Sequence, residues 1–401
     1  MYAEAQALSG MKVLDFTHER AGPYCTRLLA GYGAQVLKIE KPGSGDMLRH
    51  VAPFVNDQAG LERGLAFHWL NAGKQSLTLD LKSEQGVGLA RRLVGEADVV
   101  VESFAPGTLR RVGLAPEQML AINPALVVTS ISNFGQTGPY RDFRADETVL
   151  YAMSGGMVAT GDPDRPPLDS GPAIALYTGG LHAYIATLMA LYRTSVTGRG
   201  EHIDVSLQES SIENIELQLA VFLSNGNVAR RNGDDHPFVP WRCYPCKDGY
   251  AAVIGGPMRH WHKAAALFEE PELAAAELAH VYGRVKNHER VENLLKPWLM
   301  ANTGKEIYHK GQAVGLAFGY VASMADALES PQHAAREFLR ESDEHPEVGR
   351  LTMCAAPFCM EGTDWKMGRA PLLGEHVESA LREWLAMDAD EVAALRDQGV
   401  V

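Results

Sequence analysis

Residues 11–40 read Met11-Lys-Val-Leu-Asp-Phe16, then Thr17-His-Glu-Arg-Ala-Gly-Pro23, Tyr24 to Gly33, and Ala34-Gln-Val-Leu-Lys-Ile-Glu40. The first and last pieces are apolar runs of strand length, and Tyr24 to Gly33 carries helical spacing. Strand, turn, helix, strand is a βαβ unit, and strands joined through a crossover helix pair in parallel. The pattern repeats downstream. Ser76–Leu81 and Asp98–Glu102 read as strands around a helix at Glu84–Gly95. Pro116–Ile122 reads as a short helix with proline at its favoured first position, and Ala125–Ile131 as another strand. This alternation predicts an α/β fold: a doubly wound sheet with helices on both faces.

Beyond this core, Thr178–Thr194 is rich in Ala, Leu and Met and predicts a buried helix, ended by Gly198 and Gly200. His202–Leu207 reads as a further strand. The pattern loosens over Val228–Asp248, with Pro237, Pro240 and Pro245, and this marks a domain boundary. Trp261–Met300 is helix-rich and Lys305–Ala335 mixed. Short β-like segments follow Glu344, and Glu375–Leu385 predicts a C-terminal helix.

The 401 residues include 37 basic and 50 acidic side chains, a net charge of −13. That balance disfavours nucleic acid as the main partner, because phosphate backbones need a basic surface. It leaves room for a local basic pocket. No uninterrupted apolar run of about 18 residues is present, so no membrane-spanning helix is expected. Five cysteines do not make a disulfide framework, and a cytoplasmic location is the expectation.

The loop Thr17–Pro23 follows a strand and opens a helix, where open α/β sheets bind ligands. The Gly-x-Gly-x-x-Gly dinucleotide fingerprint, the phosphate-binding P-loop and the Gly-x-Ser-x-Gly elbow are all absent. Basic residues recur near strand ends: Lys38, Lys41, Arg49, Lys74 and Arg111. They suit a phosphorylated ligand, but for any single lysine a solvated face is the commoner reading; Lys74, in a loop just before a strand, is the stronger candidate. Cys243-Tyr-Pro-Cys246 has no second pair at metal spacing and reads as ordinary thiols. His260 and His262, two apart, cannot share a helix face and are read as structural.

The ordered motifs Leu14-Asp-Phe-Thr-His18, Ala21-Gly-Pro-Tyr-Cys-Thr26 and Leu37-Lys-Ile-Glu-Lys-Pro-Gly-Ser-Gly-Asp-Met47 resemble the class III CoA-transferases. So do Lys74–Asp80, Ala97–Gly107, Phe134–Tyr140, Ala152–Gly155, Thr197–Gly200 and Arg369–His376. The likeness spans nearly the whole chain, from about residue 9 to 401. It implies a Rossmann-like large domain built from both ends of the chain, with a smaller domain between, in an interlocked dimer. The expected division is 1–225 for the first part of the large domain, 226–335 for a small α+β domain, and 336–401 for the return. The implied reaction moves CoA from an acyl-CoA to a free carboxylate. CoA esters are its substrates and no tightly bound cofactor or metal is implied. An aspartate attacks the thioester, giving a mixed anhydride and then an enzyme-bound thioester. By motif position, His18, Arg20 and Ala21 would line the acyl and CoA site. Lys41, Lys74, Ser103, Phe104 and Arg111 would hold the CoA nucleotide, and Glu147 falls at an acidic position near the reacting carbonyl.

One departure matters most. The aspartate's segment reads Ala175-Leu-Tyr-Thr-Gly-Gly-Leu-His182, with Leu176 in the nucleophile's place. Leucine cannot attack a thioester. Three readings follow: one subunit of a hetero-oligomer whose paralogous partner supplies the aspartate; a homodimer active through Glu147, Asp146 or Asp169; or a non-enzymatic acyl-CoA-binding protein. Arg20 could clamp a carboxylate bidentately, which suits succinyl-CoA and a dicarboxylic or aromatic acid.

Overall fold

A computed structural model describes residues 6–171, 173–234, 236–255 and 261–401, so His260 lies outside the described residues. The chain divides into two compact units. The larger comprises Met1–Met157, Asp169–Asn227 and Ala334–Val401; the smaller comprises Val158–Leu168 and Val228–His333.

The larger unit runs β1 (Lys12–Phe16), α1 (Ala21–Gly31), β2 (Gln35–Glu40), α2 (Leu65–Asn71), β3 (Gln75–Thr78), α3 (Glu84–Glu96) and β4 (Val99–Glu102). Then come α4 (Thr108–Arg111), α5 (Pro116–Ile122), β5 (Val127–Ser132), α6 (Glu147–Ser154) and a turn of helix, α7 (Gly156–Ala159). Next are α8 (Ile174–Thr197), β6 (Glu201–Ser206), α9 (Leu207–Glu213) and α10 (Glu216–Asn225). All neighbours in the six-stranded sheet are parallel, in the order β3-β2-β1-β4-β5-β6. The order reverses between β1 and β4. Loops leaving those two strands part to opposite faces, which opens a crevice at their carboxyl ends.

Alternation along the strands feeds two cores. Val13, Val36, Val99, Val101 and Val127 face α1 and α8. Leu14, Leu37, Val100 and Val128 face α3, together with Val377, Leu381 and Trp384 from a helix at Val377–Leu385. The chain's later residues thus help close one face of a sheet made by residues 12–206. A final helix, Ala389–Asp397, was not legible in the sequence pattern and carries its own capping box between Asp388 and Glu391.

The helix expected over Thr178–Thr194 differs in two respects. It starts earlier, at Ile174, and it is buried on one face only. Ala175, Gly179, Gly180, Ala183, Thr187 and Ala190 face inward. Gly180 is required there, since an added Cβ would stand 2.4 Å from the Ala21 carbonyl oxygen of α1. Leu181, Ile185, Met189, Tyr192 and Val196 are exposed on the other side. By length and composition α8 is also apolar enough to cross a membrane, contrary to the expectation that no such stretch exists. Uninterrupted apolar residues are too strict a criterion: Thr, Tyr and Gly break the run without making the helix polar.

The smaller unit holds a three-stranded antiparallel sheet, Trp241–Cys246, Gly249–Ile254 and Ala317–Tyr320, with helices at Trp261–Leu267, His288–Ala301 and Gly304–Ala313. Val253, Trp261, Leu295, Leu299 and Phe318 form its core. Cys243 is exposed and Cys246 buried, both as free thiols.

Candidate active site

The crevice predicted by the sheet order is a cavity of about 560 Å³. The loop after β1 contributes His18, Glu19 and Ala21, and the loop after β4 contributes Ser103 to Pro106. Two bonds tie the loops: the His18 N–H donates to Ser103 Oγ at 2.9 Å, and the Ser103 hydroxyl donates to the His18 carbonyl at 3.3 Å. The His18 ring packs against Phe104 with centroids 5.2 Å apart. Burial and the neighbouring Lys38 push the imidazole below its ordinary range, so it is neutral at pH 7. Glu19 lies above its ordinary range, through burial first and Asp46 second.

The opposite wall is the segment Arg141–Glu147 with Leu176. Asp146 caps α6, accepting the Val149 N–H at 3.1 Å. Glu147, the next residue, reaches across to α8. Its Oε1 accepts the Ala175 N–H at 2.9 Å and its Oε2 the Leu176 N–H at 3.0 Å. These are orphan donors of a helix start, where the dipole also favours an anion. A carboxylate therefore sits at the N-terminus of the long helix, beside a hydrocarbon side chain at 176.

The structure thus brings together His18, Ala21, Ser103, Phe104, Arg111, Asp146, Glu147 and Leu176. It does not bring in four other candidates. Asp169 bonds the Thr148 hydroxyl at 2.8 Å and is not among the cavity's lining residues. Lys41 is exposed and Arg20 half-buried, both outside that lining. Lys74 differs most. Its ammonium is buried and donates to Asp15 Oδ2 (2.9 Å), Thr26 Oγ1 (2.7 Å), Asn71 Oδ1 (2.9 Å) and the Pro23 carbonyl (3.0 Å). Four acceptors leave it no capacity for a ligand phosphate. Arg141 and Arg144 line the cavity and were missed in the sequence. The only signal for them was a basic pair three apart in a loop after β5.

Beneath the β1–β3 ends lies a buried ionic layer. Lys38 pairs with Asp46 at 2.8 Å, and Arg49 with Glu40 at 2.8 Å. Burial pushes the Asp15 carboxyl up, but Lys74 and then Lys38 outweigh it and hold it well below the carboxylate range. This layer fixes the Thr17–Pro23 loop, since Lys38 also donates to the Thr17 carbonyl at 2.8 Å. Chemically, the cavity offers three guanidinium groups for anionic oxygens, an aromatic wall, a neutral imidazole and a carboxylate at a helix start.

Known proteins resemble this chain over nearly its whole length. The profile of CoA-transferase family III matches residues 8–377. A formyl-CoA:oxalate CoA-transferase of Rhodopseudomonas palustris (strain BisA53) is 32% identical, covering 99% of this chain and 97% of its own. An acetyl-CoA:oxalate CoA-transferase of Acetobacter aceti is 34% identical over 95% of this chain and 96% of its own. A succinyl-CoA–D-citramalate CoA-transferase of Chloroflexus aurantiacus is 31% identical over 98% of both. Among solved structures, a CAIB/BAIF family protein from Brucella suis superposes with a TM-score of 0.86 at 33% identity, over 95% of this chain and 100% of its own.

Proposed function

The chain belongs to CoA-transferase family III, and from that premise we propose that it works as one subunit of a hetero-oligomeric transferase whose paralogous partner supplies the attacking aspartate. The observation that carries this reading is the start of α8. Leu176 presents hydrocarbon where the resemblance puts a nucleophile, and Glu147 has both oxygens committed to backbone N–H groups. A carboxylate whose two oxygens are so occupied is a weaker attacker.

In the complete reaction, a carboxylate attacks the thioester carbonyl and expels CoA as thiolate. The thiolate then attacks the enzyme's own carbonyl of the mixed anhydride, releasing the first acid and leaving an enzyme thioester. The acceptor acid takes over from there. In this chain, Arg111, Arg141 and Arg144 would receive the phosphates of the nucleotide, and Phe104 and His18 would face its flat or apolar parts. Succinyl-CoA is the proposed donor and a dicarboxylic or aromatic acid the proposed acceptor, a choice supported by the succinyl-CoA–D-citramalate CoA-transferase among the relatives. The cytoplasm is the proposed compartment.

A second chain is also supported by surface. Residues 181, 185, 189, 192 and 196 make one apolar stripe of α8, between 41% and 75% exposed. α10 buries none of its residues, although Leu217, Leu219, Phe222 and Leu223 lie along it. Apolar surface of this extent marks an interface, in keeping with the interlocked dimer that the resemblance implies.

The test is CoA transfer by the purified chain alone, with succinyl-CoA, a panel of carboxylic acids and mass spectrometry of new CoA esters. No turnover with CoA binding intact is the expected result, and Leu176→Asp should then confer measurable transfer. Turnover by the unaltered chain would overturn the subunit reading, and loss of that turnover in Glu147→Gln would move the nucleophile to Glu147.

A further inference from the structure

β4 ends at Glu102, next to the two residues that wall the cavity. Its side chain is only 6% exposed. Oε2 accepts the Phe104 N–H at 2.9 Å, and the Ser130 side chain stands beside the same carboxyl group across the β4–β5 pairing. Ser130 Oγ in turn lies 3.0 Å from His202 Nε2. Strand register produces this alignment. Glu102 stands opposite Ser130 and Ser130 opposite Asp204, with His202 two residues earlier on the same face.

Ser130 is fully buried, whereas His202 is exposed. His202 and Glu102 both line a second cavity, of about 340 Å³. A row of adjacent polar groups therefore runs from solvent to a carboxyl beneath the Phe104 loop. The charged groups around it are Asp204 on β6, Arg110 on α4, Glu117 on α5 and Arg141 in the loop after β5. Nothing in the transfer chemistry above uses Glu102, Ser130 or His202.

We propose that Glu102, Ser130 and His202 form a proton-conducting row that delivers one proton from solvent to Glu102 when a polyanionic CoA ester settles against the Phe104 loop. The proposal rests on the reading of the larger cavity as the CoA-ester site. The step balances. Water or buffer gives a proton to His202 Nδ1, Nε2–H passes its proton to Ser130 Oγ, and the Ser130 proton moves to the Glu102 carboxylate. His202 ends neutral in its other tautomer, and Glu102 ends as a neutral acid that donates to Ser130 and still accepts the Phe104 N–H.

The driving force is electrostatic: a nearby polyanion raises the cost of a buried carboxylate's charge. Burial already pushes Glu102 up to about 7, so a modest added field shifts its protonation at neutral pH. Glu102 is thus a positioning residue, acting through Phe104.

The test uses CoA itself as probe. Calorimetry at pH 7.5 in two buffers of different ionisation enthalpy should show proton uptake on binding. Glu102→Gln keeps an acceptor for the Phe104 N–H, so it should retain most of the affinity and lose most of the uptake. Ser130→Ala should slow uptake, followed with a pH indicator in stopped flow, by about tenfold or more. Uptake unchanged in Glu102→Gln overturns the proposal, and an unchanged rate in Ser130→Ala overturns the conducting row. If CoA does not bind at all, the reading of the cavity fails instead. The infrared carboxyl band of the free protein then decides: a band titrating near neutrality and lost in Glu102→Gln supports the buried proton acceptor, and its absence overturns it.

Discussion

Around β1, β2 and the start of β3, Asp15, Lys38, Glu40, Asp46, Arg49 and Lys74 are buried and meet as ion pairs. At the ends of β4 and β5 the basic side chains Arg111, Arg141 and Arg144 are exposed around a cavity. Both regions are charged, and both follow parallel strands of one sheet. In the first, charge is spent internally: desolvation is offset by partners with fixed geometry. In the second, solvation keeps the charges cheap until a ligand arrives. The difference teaches that a basic residue near a strand end is free to meet a ligand only where the topology leaves the crevice open.

The sharpest way to break that contrast is Lys74→Met. It strands the Asp15 carboxylate and should cost about 3–5 kcal/mol of stability, read by urea denaturation. A variant of normal stability with weakened CoA binding would place Lys74 with the arginines instead.

Glu102 tests the border between the regions. Its folded value, about 7, lies above the ordinary glutamate value. The folded state therefore binds more protons between those values, so this contribution is present in acid and is lost as pH rises through 7. Relative to the native chain, Glu102→Gln should gain up to about 3 kcal/mol on going from pH 5 to pH 8. A pH-independent difference would show that Glu102 does not titrate in this range.

Arg144→Ala should leave stability within about 0.5 kcal/mol and weaken CoA binding roughly tenfold, as expected for one charged hydrogen bond. The loss should shrink at high salt. The smallest effect is expected at Glu147→Ala, where the two N–H groups of α8 lose their acceptor. About 1 kcal/mol is expected, measured by thermal unfolding. A much larger loss would give the Glu147 contact a structural weight beyond capping.

The same contrast explains what could be read without coordinates. Strand and helix periodicity carried the α/β sheet, because alternating faces of β1, β2 and β4 leave a pattern in the sequence itself. Motif order carried the cavity residues His18, Ser103, Phe104 and Arg111, which sit on loops fixed by that sheet. The fate of Lys74 was not legible: its four acceptors come from residues 15, 23, 26 and 71, and only folding gathers them. Nor was the bond from Glu147 to the start of α8, which spans 28 residues to Ala175. The one-sided burial of α8 escaped because an apolar stripe awaiting a partner and one facing a core have the same composition.

The sheet's dependence on late-coming chain has a consequence for biogenesis. The Asp80 N–H bonds the Val400 carbonyl at 2.8 Å, and the His376 N–H bonds the Ser76 carbonyl at 2.9 Å. During synthesis, β1 to β3 must wait for some three hundred further residues before the face that α3 begins to cover is completed. The segment between them can condense first, so the order of emergence from the ribosome and the order of folding run in opposite senses. Such long-range closure is slow. It makes the nascent large unit the natural client of a holding chaperone, and silent codon changes that alter pausing should touch its yield more than that of the inserted unit.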